Sequence, residues 1–204
     1  MKLHWSSRSP YVRKVMICAY EAGIADKIER TYSVVSLSAP NADVMRDNPL
    51  GKIPTLILDD GRVLYDSGTI CEYVDSLHTG AKLFPAAGDA RWRALTWHAL
   101  GTGMLDTLLP WRSELMKPAA RQTPEWLATF ALKTRNALAV IEREAVGLAN
   151  TPFNIGHVGI GTALAYIDFR FADLAWQKDH PRAAAWMAQF SARDAVRKTA
   201  FIDA

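Results

Sequence analysis

Ser9-Pro10-Tyr11-Val12 stands directly after the short apolar run Met1 to Trp5, so a strand gives way within a few residues to the start of a helix. A serine followed by proline is a common helix opening, because the hydroxyl can accept a backbone N–H and proline lacks only an N–H that would go unbonded there. Val12, Val15, Met16 and Ala19 then recur at i, i+3, i+4 and i+7, one apolar helical face, and Gly23 can take the left-handed position that ends it. The helix is therefore expected from Pro10 to about Ala22. Working outward, Ile28 to Val35 reads as a strand rich in β-branched and aromatic residues, Ala42 to Asp47 as a short helix or turn, and Asn48-Pro49-Leu50-Gly51 as a loop. Ile53 to Leu58 and Arg62 to Leu64 flank Asp59-Asp60-Gly61, a hairpin signal. Ser67 is expected to cap a further helix carrying Ile70, Cys71, Val74 and Leu77.

The pattern changes at His78-Thr79-Gly80 and Phe84-Pro85-Ala86-Ala87-Gly88, a turn-rich linker. Beyond it only helices are expected. A long one begins at Arg91 and runs to about Met116, with Pro110 expected to kink or break it. Thr123-Pro124 opens another, with a face of Leu127, Phe130, Thr134, Leu138 and Ile141. Asn154 caps Ile155 to about Phe171, apolar nearly all round as in a central buried helix. Pro181 to about Ser191 follows, and the last residues are expected to fray. The expected organisation is residues 1–77, a linker over 78–88, and a helical remainder over 89–204.

The chain has 204 residues, half of them apolar, enough to bury a sizeable core. Its net charge of +3 is spread without a run of Lys or Arg, so no nucleic-acid partner is expected. The longest nearly uncharged stretch, Thr151 to Ile167, falls short of a membrane span, and the sequence before Arg8 has no apolar core of a secretory signal. No membrane partner and a cytoplasmic location are expected. Cys18 and Cys71 occupy apolar helix positions as small buried hydrophobes, and no Cys/His cluster has metal-ligand spacing.

Three segments together, Ser9-Pro10, Lys52-Ile53-Pro54-Thr55 and Asp66-Ser67, resemble the glutathione-binding elements of the glutathione S-transferase superfamily. The element order βαβα then ββα, a linker and a helical remainder extend the resemblance to almost the whole chain. It implies an α/β plus all-α fold: a thioredoxin-like N-terminal domain followed by an all-helical C-terminal domain. Ser9 falls where the family places the Tyr, Ser or Cys that meets the glutathione sulfur, with Ser7 and Ser6 as near rivals and Tyr11 a weaker one. Pro54 matches the cis-proline that turns the backbone groups of Ile53 toward the cysteinyl part of the ligand, and Lys52 is placed to meet the glycyl carboxylate. Asp66 and Ser67 match the pair that holds the γ-glutamyl end, Ser67 on its carboxylate and Asp66 on its ammonium. Read by themselves, Ser9 and Ser67 are equally ordinary helix caps, and Lys52 an ordinary solvated lysine.

The resemblance implies a transferase of the serine type that activates the glutathione thiol against small hydrophobic electrophiles, by conjugation or dehalogenation, with glutathione as co-substrate, no other cofactor and no metal. It also implies a homodimer and a role in detoxification. Met104, Trp111 and Leu115 are candidates for the electrophile side, and Asp106 for a contact across a dimer. Two departures stand out: no cysteine at position 9, which disfavours disulfide exchange, and Asn154-Ile155-Gly156-His157 where the family has Ser or Thr followed by Asp, with His157 expected to be a hydrogen-bonded core residue. The alternative is a non-catalytic glutathione-fold module acting through protein–protein contacts.

Overall fold

β1 (Lys2–Trp5) is the strand around which the sheet is assembled: β2 (Glu29–Tyr32) pairs with it in parallel on one side and β3 (Thr55–Ile57) antiparallel on the other. β4 (Val63–Leu64) completes a mixed sheet in the order β2-β1-β3-β4. This computed structural model describes residues 1–36 and 39–203. α1 (Pro10–Glu21) joins β1 to β2 as the crossover that a parallel pair requires, α2 (Ala42–Asp47) precedes β3, and α3 (Ser67–Ser76) follows β4. α1 packs against α3, where the fully buried Cys18 and Cys71 meet.

Local chemistry explains the ends of these elements. Gly23 has φ +69°, and its N–H and that of Ile24 return to the carbonyls of Tyr20 (3.1 Å) and Ala19 (2.9 Å), the paired bonds of a glycine C-terminal cap. β2 is shorter than the expected Ile28 to Val35 and mostly exposed, as an edge strand needs only one ladder. Asp66, not Ser67, is the N-cap of α3: its Oδ1 accepts from the N–H groups of Gly68 (3.0 Å) and Thr69 (3.4 Å), while Ser67 is the first helical residue. The backbone decides between two good acceptors: Asp66 is extended, at φ −86° and ψ −163°, as an N-cap must be, and Ser67 is already helical.

Two compact units emerge. The first holds residues 1–85 together with the segment from Asp194 onward; the second is Ala86–Arg193. Asp75, 3% exposed on α3, fastens residues 78–85 to the first unit by accepting from Leu83 N–H (2.8 Å) and Phe84 N–H (3.1 Å). The segment from Asp194 to Ile202 is tied down, where fraying was expected. α8 (Asp194–Lys198) packs on α1, Ser7 Oγ donates to the Ile202 carbonyl (2.8 Å), and the Arg13 guanidinium lies 4.5 Å from the Phe201 ring centre.

The second unit is helical: α4 (Gly88–Leu115), α5 (Pro124–Asn150), α6 (Ile155–Arg170) and α7 (Pro181–Ser191). α4 runs through Pro110, whose fixed φ suits a helix and which forfeits one N–H bond without ending it. Thr123 stands at the N-cap of α5 but makes no side-chain cap bond; its N–H is taken by Glu114 Oε1 at 2.7 Å. α6 is buried on every side from Ile155 to Ile167 and crosses α4 at near backbone contact, since a Cβ on Gly101 would lie 2.2 Å from the carbonyl carbon of Gly159. Its N-terminus carries a capping box in which Asn154 Oδ1 accepts from Gly156 N–H (2.9 Å) and His157 Nδ1 accepts from Asn154 N–H (3.1 Å). His157 Nε2 then donates to the Leu148 carbonyl (2.9 Å), leaving a neutral imidazole with both nitrogens used. Among the described residues no helix is long and apolar enough to cross a membrane.

Candidate active site

The register of the sheet gathers the three segments singled out in the sequence. His4 lies opposite Thr55 and Leu56 opposite Leu64, so the end of β1, the start of β3 and the end of β4 share one edge of the first unit. From that edge leave the loop to Ser9, the loop arriving from Lys52 and the connection to Asp66-Ser67. Antiparallel pairing by itself sets the end of β1 beside the start of β3, and the start of β3 beside the end of β4.

Ser9 is the N-cap of α1 and half-buried. Its Oγ accepts from Val12 N–H at 3.3 Å and makes no further hydrogen bond among the described residues, so its proton is not spent inside the protein. Of the two rival serines, Ser7 spends its proton on the Ile202 carbonyl, while Ser6 accepts from Arg8 N–H at 3.3 Å and keeps its proton but is 7% exposed, more enclosed than half-buried Ser9. Tyr11 has the Lys14 ammonium 5.5 Å from its ring centre. α1 has no acidic residue in its first turn, leaving the positive end of its dipole uncompensated. Arg13 follows, and burial pulls its guanidinium down to about 10, so it remains a cation at neutral pH.

The Ile53–Pro54 peptide is cis, as is Tyr65–Asp66. Ile53, 7% exposed, makes no hydrogen bond through its N–H or C=O among the described residues, since the β3 ladder begins only at Thr55. Lys52 is exposed and has no acidic partner among them. Ser67, 2% exposed in the first turn of α3, likewise makes no side-chain hydrogen bond among the described residues, and Asp66 keeps Oδ2 outside its capping bonds. A hydroxyl donor at one helix N-terminus, a hydroxyl and amide at another, a backbone amide pair and a lysine suit an anionic ligand of peptide type.

Cys18 and Cys71 are fully buried, and burial first, with the bond to Cys71 second, pushes the Cys18 thiol well up, away from a nucleophile's range. Met104 and Trp111 are buried in the second unit, Trp111 against Phe171 at 4.9 Å between ring centres, whereas Leu115 and Asp106 are exposed on α4. No group of three or more potential metal ligands occurs among the described residues. A polar line through buried His4, half-buried Asp47, and buried Asn48 and Thr55 was not visible in the sequence, where a histidine within an apolar strand and an Asn-Pro loop carry no signal of contact.

Residues 8–77 match the glutathione S-transferase N-terminal domain model and residues 124–189 the C-terminal domain model. The chain is 30% identical over 203 residues to the "uncharacterized GST-like protein YibF" of Escherichia coli K12, covering 98% of each. A glutathione transferase family member from Pseudomonas fluorescens Pf-5, solved with bound glutathione, superposes with a TM-score of 0.94 at 43% identity over 97% of both chains. Another structure from that organism, with bound S-(propanoic acid)-glutathione, gives 0.89 at 41% identity over 98% of both. The protein belongs to the glutathione S-transferase superfamily, with that family's thioredoxin-like and helical parts.

Proposed function

We propose that the protein is a serine-type glutathione transferase that holds glutathione along the shared sheet edge and presents its sulfur as a thiolate to small hydrophobic electrophiles. The observation that carries this reading is the state of Ser9: an oxygen already bonded to the helix and a proton still available to a sulfur. A thiol titrates near 8.5, and each unit of lowering needs about 1.4 kcal/mol of preference for the anion, within reach of one hydroxyl donor and one helix N-terminus. Ile53 would bond the cysteinyl backbone, Ser67 and Asp66 the γ-glutamyl end, and Lys52 the glycyl carboxylate.

The thiolate attacks carbon as the C–S bond forms. A halide leaves with the electron pair of its bond, or an activated double bond takes up a proton from water. The relative bound to S-(propanoic acid)-glutathione supports a site that accepts a thioether product. Homodimeric assembly, a cytoplasmic location and a detoxifying role belong to the same reading. The test is Ser9→Ala, followed by the ultraviolet absorbance of bound thiolate against pH. The expected outcome is a bound-thiol pKa raised by about a unit or more and about 1 kcal/mol lost from stability. A titration identical to wild type would remove Ser9 from catalysis.

A further inference from the structure

The polar line behind the loop that carries Lys52 and Ile53 has no place in the chemistry above. His4 is 4% exposed within β1, yet both of its ring nitrogens are engaged: Nδ1 is 2.8 Å from Ser33 Oγ and Nε2 is 2.7 Å from Asp47 Oδ2. A carboxylate only accepts, so Nε2 carries a proton and donates. Nδ1 accepts a hydrogen bond from the Ser33 hydroxyl, or donates to Oγ while that hydroxyl donates to the Thr31 carbonyl 3.2 Å away. Serine, histidine and aspartate here do not make a nucleophile, because Ser33 is 5% exposed and its oxygen lies between His4 and Thr31.

Asp47 ends α2, and the next residue, Asn48, is 1% exposed and spends its whole amide on the following loop. Its Nδ2 donates to the Lys52 carbonyl (3.2 Å) and to Thr55 Oγ1 (3.0 Å), and its Oδ1 accepts from Leu50 N–H (3.0 Å). The Asn48 carbonyl accepts from Gly51 N–H (2.9 Å), with Gly51 at φ +59°, and Thr55 Oγ1 donates to the Lys52 carbonyl (2.7 Å). The Lys52 carbonyl and the Ile53 N–H belong to one planar peptide, so two donors on the oxygen fix the direction in which the N–H points. The line therefore runs from the central strand through His4, Asp47 and Asn48 to the amide that faces glutathione in the proposed site.

We propose that His4 is a positioning residue for glutathione binding, acting through Asp47 and Asn48 on the plane of the Lys52–Ile53 peptide. The inference rests on the proposed glutathione site. Its test compares His4→Leu, which removes both bonds, with His4→Gln, which keeps a donor for Asp47. Calorimetry with glutathione should show dissociation about tenfold weaker for His4→Leu, the equivalent of one charge-assisted bond, and a recovery of most of that loss in His4→Gln. In the ligand-free protein, amide exchange at Leu50 and Gly51 should accelerate several-fold while Leu56 in β3 stays as in wild type.

Unchanged affinity and unchanged exchange in His4→Leu overturn the proposal. So does a uniform loss of protection across the sheet that His4→Gln fails to repair, which would make His4 a packing residue only. If His4→Leu does not fold, Asp47→Ala, which removes the acceptor for His4 Nε2, carries the same two readouts, and each outcome bears on the proposal in the same way. Wild-type protein that binds no glutathione would instead reject the functional reading, and the exchange data would then decide alone whether His4 holds the loop.

Discussion

Ser67 is nearly sealed at the start of α3, yet its hydroxyl has no partner among the described residues, while the neighbouring Asp66 does the capping. That division of labour frees Ser67 for a ligand. Replacing Ser67 by Ala should therefore leave the cap bonds of Asp66 in place and weaken glutathione binding by about 1 to 3 kcal/mol, the range for a hydrogen bond to a charged group. Unchanged affinity by calorimetry, with an intact fold by circular dichroism, would rule out the γ-glutamyl assignment. At this scale the sequence exposed those residues whose local grammar is strong. Ser9 before Pro10 and Asp66-Ser67 before an apolar helix announce helix starts without any knowledge of the rest of the chain. The sequence could not say which member of the Asp66-Ser67 pair caps, because both types are good acceptors and only the backbone geometry chooses. His4 was invisible for a different reason: its partners Ser33 and Asp47 lie 29 and 43 residues away, and no periodicity links them.

Elements were legible where periodicity was long and capped, as in α1 and α6, and less so where the environment sets the ends. β2 stops at Tyr32 because only β1 supports it, and α4 passes Pro110 because the buried residues on either side, Leu108 and Trp111, keep it packed. α6 also shows how an unusual residue fills a familiar place, with His157 accepting from the N-cap amide as a Glu or Gln would. Burial is the first cause that lowers the His157 pKa below 6.5, with the Arg193 cation acting in the same direction against the two backbone bonds that raise it. A histidine held neutral in the fold binds fewer protons than it does unfolded, so its contribution to stability is complete above about pH 6.5 and declines as pH falls below that value toward the folded pKa. Wild-type protein should lose melting temperature between pH 7 and pH 5 more steeply than His157→Gln. That variant keeps an acceptor for Asn154 and costs about 1 kcal/mol at neutral pH for the lost bond to Leu148. Parallel pH profiles for the two proteins would show that His157 is not a titrating element of α6.

For the whole molecule, the order of elements and the change from mixed sheet to helices could be read directly, since alternation and 3.6-residue periodicity are properties of contiguous sequence. The attachment of the segment from Asp194 onward to the first unit could not, because it depends on single contacts such as Ser7 with Ile202 across 195 residues. Assembly is the remaining property at this scale. Several large apolar side chains of the second unit stand in solvent, among them Trp92 at 66% and Met116 at 68% exposure, Trp126 at 57% and Leu132 at 51%. Scattered apolar residues are normal on a monomer, but two tryptophans more than half exposed add considerably to the apolar surface left wet. A two-fold dimer, the commonest closed assembly, would remove such surface from water at about 25 cal/mol per Å². Sedimentation equilibrium at micromolar concentration should accordingly give about twice the chain mass of 22.6 kDa. If Trp92 or Trp126 lies in that interface, replacing it with Asp should shift the equilibrium toward monomer while leaving the far-ultraviolet circular dichroism unchanged. A wild-type protein that sediments as a monomer across the micromolar range would discard the homodimer, and with it any role for Asp106 toward a partner subunit.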